Sequence, residues 1–189
     1  MRFLTKLIIN NLLFIAIGFS YTHTLLANTE PTESERTFVQ STIISTIVHS
    51  DYYQNTRKNC QALAEEGINP SYCEELTLEN IDLDFKTGHL SKNNNDIIAI
   101  ALFHLEGNIE NIKKHLFVFL RQDDNALKLL DTIALPGFVH GIEDFTIENS
   151  VIVVHALELD EQDERWSPTI HKTLHYGIED EKLIELEIE

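Results

Sequence analysis

The chain has 189 residues, with 31 acidic against 14 basic residues and a formal net charge of −17 at pH 7. A polyanion of this kind is repelled by nucleic-acid phosphates and by anionic lipid surfaces, which argues against both as partners and leaves basic proteins or cations. With 43% hydrophobic residues, the length suits one domain with a proper hydrophobic core.

Residues 1–27 begin with two cations, Arg2 and Lys6, run through an apolar stretch from Leu7 to Phe19 and reach a small residue at Ala27. This is the pattern of a secretory signal peptide, with cleavage expected near Ala27. The apolar run is short, is interrupted by Asn10 and Asn11 and is followed by the polar "NTEPTESE", so stable membrane insertion after signal removal is not expected. Cleavage removes two of the 14 basic residues and none of the 31 acidic ones, moving the charge from −17 to −19. The expected location is the periplasm or the medium.

In "TESERTFVQSTIISTIVHS", Val39, Ile43 and Ile47 form one stripe at helical spacing, with Gln40, Ile44 and Val48 beside it. Thr32 followed by Glu35 three residues later predicts a capping box at the helix start. A second helix is predicted over "TRKNCQALAEE", ended by Gly67, with Asn69-Pro70 turning the chain back. That turn returns Cys73 toward Cys60. In an oxidising compartment this even pair reads as one disulfide, closing a loop worth roughly 3 kcal/mol in the chain-entropy model. A redox or metal pair is the alternative, but neither cysteine lies in a C-x-x-C motif and no histidine separates them.

From Leu76 the period changes from helical to alternating. "NIDLDF" sets Ile81, Leu83 and Phe85 against Asp82 and Asp84; "IIAIALFHL", "HLFVFLR", "ALKLLDTIAL", "GFVHGIEDFTI", "SVIVVHALEL", "TIHKTLHYGI" and "KLIELEIE" follow, with short polar breaks. Short connections favour antiparallel neighbours. The expected fold is α+β: an N-terminal helical segment, residues 28–75, packed as one domain on an antiparallel β-meander of seven or eight strands over residues 76–189. "IIAIALF" and "VIVV" are apolar on both faces, which predicts central strands covered by helix or curled over a core.

Over residues 81–187 the order of these signals resembles a module of small exported bacterial proteins whose function is unknown. That group carries an acidic turn opening a "DxAxxL" strand, then an "LxVF" strand, a "G…I…I…NGxIxV" hairpin, an acidic "D…P[ST]" loop and a final "Y…L.E" hairpin. The matching stretches are "NNNDIIAIAL", "HLFVFL", "GFVHGIEDFTIENSVIVV", "LDEQDERWSPT" and "HYGIEDEKLIELE". The resemblance implies the fold and the export, and supplies no chemistry. Where that group has a glycine-rich acidic turn, this chain has Asn93, Asn94, Asn95 and Asp96, so no calcium site is implied.

"LELDEQDERWSPTIH", residues 157–171, sets Glu158, Asp160, Glu161, Asp163 and Glu164 ahead of Arg165 and the sole tryptophan, Trp166. Carboxylates flanking an aromatic side chain and an arginine have the composition of a docking surface with an electrostatic rim. The competing reading is a solvated strand connection. Calcium is disfavoured, because "DEQDER" has the oxygens but neither a glycine for the sharp turn nor EF-hand spacing. His171 and His175 share a strand face too far apart for one ion; His104 and His115 flank a hairpin-like connection that could bring them close, with His155 as a further neighbour in the sheet, but no H-E-x-x-H motif occurs. No metal site and no cofactor are expected. No G-x-S-x-G or phosphate-cradling loop occurs, and both cysteines are expected to be paired, so no catalytic residue is assigned.

These observations predict an acidic binding or inhibitor protein of the periplasm, such as an immunity protein facing a basic toxin or hydrolase. The alternative expectation is a metal-dependent hydrolase or cation-binding envelope protein using the acidic loop and the strand histidines.

Overall fold

The computed structural model describes residues 30–68, 81–90, 96–104, 112–164 and 167–187, the side chains of Phe103, His104 and Ile112 excepted. The N-terminal segment read from the sequence as a signal peptide, and with it Cys73, Arg165 and Trp166, lie outside the described residues. Two helices, α1 (Glu33–Val48) and α2 (Asp51–Glu65), precede eight strands: β1 (Ile81–Gly88), β2 (Asp96–His104), β3 (Ile112–Arg121), β4 (Leu127–Ala134), β5 (Gly141–Glu148), β6 (Val151–Glu158), β7 (Ile170–Glu179) and β8 (Lys182–Glu185).

The fold is α+β, and the strands divide into two sheets instead of forming one meander. Strands β1-β2-β3-β4 make the first sheet and β5-β6-β7-β8 the second, all neighbours antiparallel. The break falls in "LPGFVH". The sequence reading joined "GFVH" to the following strand, but residues 135–140 are a connection between the sheets. Burying Leu135 and Val139 between the two sheets is the physical reason for the break.

The first sheet is the middle layer. On one face Val39, Ile43 and Ile47 of α1 and Tyr53 of α2 pack against Ile81, Ile97, Ala99, Ala101, Phe117 and Phe119. On the other, Ile98, Ile100, Leu116 and Val118 meet Phe145, Ile152, Val154, Ala156, Leu174 and Tyr176 of the second sheet. Residues Ile97 to Ala101 are therefore at most 2% exposed on either side of the strand, which is why "IIAIA" shows no alternation.

A bulge in β4 sustains this arrangement. Phe119 pairs with Leu129 and Val118 with Asp131, leaving Leu130 as the extra residue. Leu127 and Leu129 thus stay under the helices while Leu130 and Ile133 turn to the second sheet. Asp131 turns with them, and its Oδ2 accepts a hydrogen bond from the Leu183 amide at 2.9 Å, tying β4 to β8. At the opposite edge β1 lies over β5. There a Cβ at Gly88 would stand 2.7 Å from that of Ile147, so only glycine permits the approach. In the second sheet, Asn149 and Ser150, then Asp180 and Glu181, all have positive φ; two-residue turns of this kind match the strand twist and close tight hairpins.

The capping box forms as the sequence predicts: Thr32 accepts from the Glu35 amide, and the Thr32 amide donates to Glu35 Oε2 at 2.7 Å. The second helix starts earlier than its apolar spacing suggests, because Ser50 caps it ahead of Asp51. Glu35 also accepts from the Arg121 guanidinium, which joins the start of α1 to the end of β3. Burial alone would raise the Glu35 pKa, but Arg121 and Thr32 together hold it below the ordinary 4.5. A carboxylate with a depressed folded-state pKa gives stability that is present above its unfolded value and lost as pH falls through the folded one. Glu35→Gln is expected to cost about 2 kcal/mol at neutral pH. Denaturant melts of both proteins from pH 7 to pH 3 should show that difference shrinking as the wild type loses the charge; a difference that stays constant with pH would contradict it.

Candidate functional site

The acidic loop leaves the second sheet after Glu158 and rejoins it at Ile170, the residue that pairs with Glu158 across β6 and β7. Its carboxylates do different things. Asp163 is turned into the loop: Oδ2 accepts from the amides of Asp160 and Thr169, both at 2.8 Å, and Oδ1 accepts from Thr169 Oγ1 at 2.9 Å. Asp160 accepts from the Gln162 amide at 3.1 Å. The Asp160 amide and then the Thr169 groups hold the Asp163 pKa below the carboxylate norm. Glu158 pairs with Lys172 at 3.2 Å. Glu161 and Glu164 are exposed, with no side-chain partner among the described residues. Asp163 is thus the loop's closure, and Asp160, Glu161 and Glu164 are what it offers to solvent.

A second feature, not singled out in the sequence, lies beside it. At the edge where β1 crosses β5 the sheets separate below the Gly88–Ile147 contact. A cleft of about 270 Å³ opens there, lined by Asp82, Leu83, Asp84, Ile100, Leu102, Ile142, Glu143, Asp144 and Phe145. The β1 register explains the mixture. Leu83 and Phe85 face the helices, so Asp82 and Asp84 are presented to the second sheet, opposite Leu102 and Ile100. On β5 the register shifts between Ile142 and Asp144, leaving Glu143 as a bulged residue. Bulges of this sort re-aim side chains at sheet edges. Here the bulge keeps Ile142 and Phe145 in the core while two consecutive carboxylates stand at the rim.

Two basic side chains of the chain already lean on that rim. Lys86 Nζ is 3.2 Å from Asp144 Oδ1 and 5.8 Å from the centroid of the Phe145 ring. The Phe145 amide, then Lys86, hold the Asp144 pKa below its ordinary value. His171 Nδ1 lies 2.8 Å from Glu143 Oε2. Asp82 and Asp84 are exposed and make no ion pair among the described residues.

The histidines spread across the molecule. His155 and His171 lie on the outward face of the second sheet, His155 beside Thr173 at 3.5 Å. His175 pairs with Val153 on the same face. His115 is on the first sheet beside Phe117, where burial and then Lys113 keep its pKa below the imidazole norm. The side chain of His104 lies outside the described ones. Among the described residues no group of three or more His, Cys, Asp or Glu is placed to hold a metal ion. Cys60 is buried on α2 at 5% exposure and is not a free thiol; the expected Cys60–Cys73 bond falls outside the described residues. Among the described residues no helix is long and apolar enough to cross a membrane.

Register places the loop and the cleft at one end of the second sheet, because the β6 residues leading into the loop, Ala156 and Leu157, pair with Ile142 and Gly141. The signal for the cleft was present in "NIDLDF": aspartates on the inner face of an edge strand leave that edge unable to close over an apolar partner. Compared with family models, curated proteins and solved structures, the chain matches none.

If Asp163 closes the loop, Asp163→Asn should expose the Thr169 and Asp160 amides to hydrogen exchange, whereas Glu161→Gln should leave their protection unchanged. Equal protection in all three proteins, read by exchange mass spectrometry at peptide resolution, would remove Asp163 from that role.

Proposed function

We propose that this chain is an exported acidic binding protein that captures a basic protein partner in the periplasm or beyond it, in the manner of an immunity protein or inhibitor facing a toxin or hydrolase. The observation that carries this reading is the concentration of carboxylates at one end of the second sheet. Asp82, Asp84, Glu143 and Asp144 rim an apolar cleft there, and Asp160, Glu161 and Glu164 project from the loop beside it. Such a surface concentrates a basic partner by long-range attraction, while the apolar floor supplies area that can be desolvated on contact. Trp166 and Arg165 are proposed as the loop's contact residues, and Cys60–Cys73 as a disulfide that holds α2 to the segment entering β1.

The partner is recovered by a pull-down from envelope extracts at low and high salt, and its binding is then measured against charge-neutralised variants. Neutralising Asp160, Glu161 and Glu164 should slow association and flatten its salt dependence, because steering acts on the on-rate. Trp166→Ala should instead speed dissociation, by about 2 kcal/mol for a hot-spot side chain, with the melting temperature unchanged. A captured protein that is not basic, or one whose kinetics ignore all four substitutions, would refute the reading.

The disulfide has its own check. Alkylation of unfolded protein without reductant should add nothing to Cys60 or Cys73, and two alkyl groups found by mass spectrometry would exclude the bond.

A further inference from the structure

We infer that the cleft between β1 and β5 is a receptor for a single arginine side chain of the partner. The inference rests on the proposed capture of a basic protein and adds the chemical class of the group that enters. Size comes first. At about 270 Å³ the cleft stands at the small end of ligand sites, which run from roughly 300 to 1,000 Å³, and has room for one long side chain.

The lining matches the two halves of such a side chain. Leu102 and Ile142, the half-buried apolar members of the lining, form a floor for an aliphatic stem above the fully buried Ile100 and Phe145, and Asp82, Asp84, Glu143 and Asp144 stand at the mouth for a cationic head. Among the described residues, these four carboxylates have one ammonium paired with them, that of Lys86 on Asp144. The seat of Lys86 is an independent observation: a cation of the chain itself already rests against Asp144 with its ammonium near the Phe145 ring, which shows that this wall accepts a cation. Lys86 covers only that corner. Asp82 and Asp84 lie two residues apart on one face of β1, a spacing of roughly 7 Å along a strand.

That spacing selects arginine over lysine. An ammonium is a compact point charge that pairs closely with one carboxylate, whereas a planar guanidinium carries five donors in a fork and can donate to two carboxylates at once. It is also the more weakly hydrated head group, and therefore the easier one to bring against the apolar floor. His171 faces the site from β7 through Glu143, and His155 lies beside Asp144 from β6. All the peptides are therefore compared at one and the same pH.

The probe is a short end-blocked peptide, uncharged except for one central arginine, titrated into the purified protein and followed by NMR. Counterparts carry lysine or citrulline, the uncharged isostere of arginine, at the same position. The arginine peptide should shift the resonances of Asp82, Asp84, Leu102, Ile142 and Phe145 saturably, the lysine peptide should bind more weakly, and the citrulline peptide should leave them in place. Asp82→Asn with Asp84→Asn should weaken arginine binding by about tenfold or more without lowering the melting temperature. Lys86→Met should tighten it by releasing Asp144 and Phe145, an effect opposite to that of a merely structural lysine.

Shifts spread over the acidic loop, equal shifts with citrulline, or no change in the aspartate double variant would each overturn the inference. The two proposals fail separately. If the basic partner binds the aspartate double variant at full affinity, the arginine cleft falls and the acidic-binder reading stands. If the cleft takes the arginine peptide but no basic protein is ever captured, the cleft stands and the reading of the whole chain falls.

Discussion

Strands β2 and β3 carry apolar side chains on both faces, and strands of that kind are stable only when both faces are kept from water. In this chain the two faces are covered by different means. The helices cover one, through Val39, Ile43, Ile47 and Tyr53, and the second sheet covers the other, through Phe145, Ile152, Val154 and Leu174. The layer order helix, sheet, sheet follows from that requirement. A single eight-stranded meander would have left one face of "IIAIAL" without a partner, so the chain crosses over at residues 135–140 and folds its second half back against its first.

Once two sheets are stacked, their edges decide what is closed and what is open. At β4 and β8 the closure is polar and specific, since a bulge turns Asp131 inward to accept from the β8 backbone. At β1 and β5 the closure is steric and local, resting on the contact of Gly88 with Ile147. Below that contact the inner face of β1 holds Asp82 and Asp84, and carboxylates cannot be buried against Ile100 and Leu102 without partners. The edge therefore stays open, and the cleft results from charged residues placed on the inner face of an edge strand, one of the devices by which β-proteins keep edges from pairing with other chains.

The excess negative charge acts against compaction through self-repulsion. The structure meets part of that cost with pairs that tie elements together: Glu35 with Arg121, Asp144 with Lys86 and Glu158 with Lys172. It also turns Asp163 inward on backbone amides. What remains without an ion pair among the described residues at the loop and cleft end, notably Asp82, Asp84, Glu161 and Glu164, is charge that ties no two elements of the fold together.

The sequence by itself determined the local structure. Apolar spacing placed α1, Thr32 and Glu35 placed its cap, and the change from helical to alternating period located the strands, because these depend on residues within a turn or two of one another. It also located the acidic loop, although it could not tell that Asp163 is bound inside that loop while Glu161 faces solvent. Tertiary structure decided the rest. Nothing local in "ALPGFVHG" separates a strand from a crossover; the burial of Leu135 and Val139 between two sheets does. Nothing local assigns Asp82 and Asp84 to a cleft, because their neighbours Ile142, Glu143 and Asp144 lie some sixty residues away along the chain. They become neighbours only when β5 folds over β1, since which face of an edge strand meets another layer is a property of the packed sheets and not of the strand.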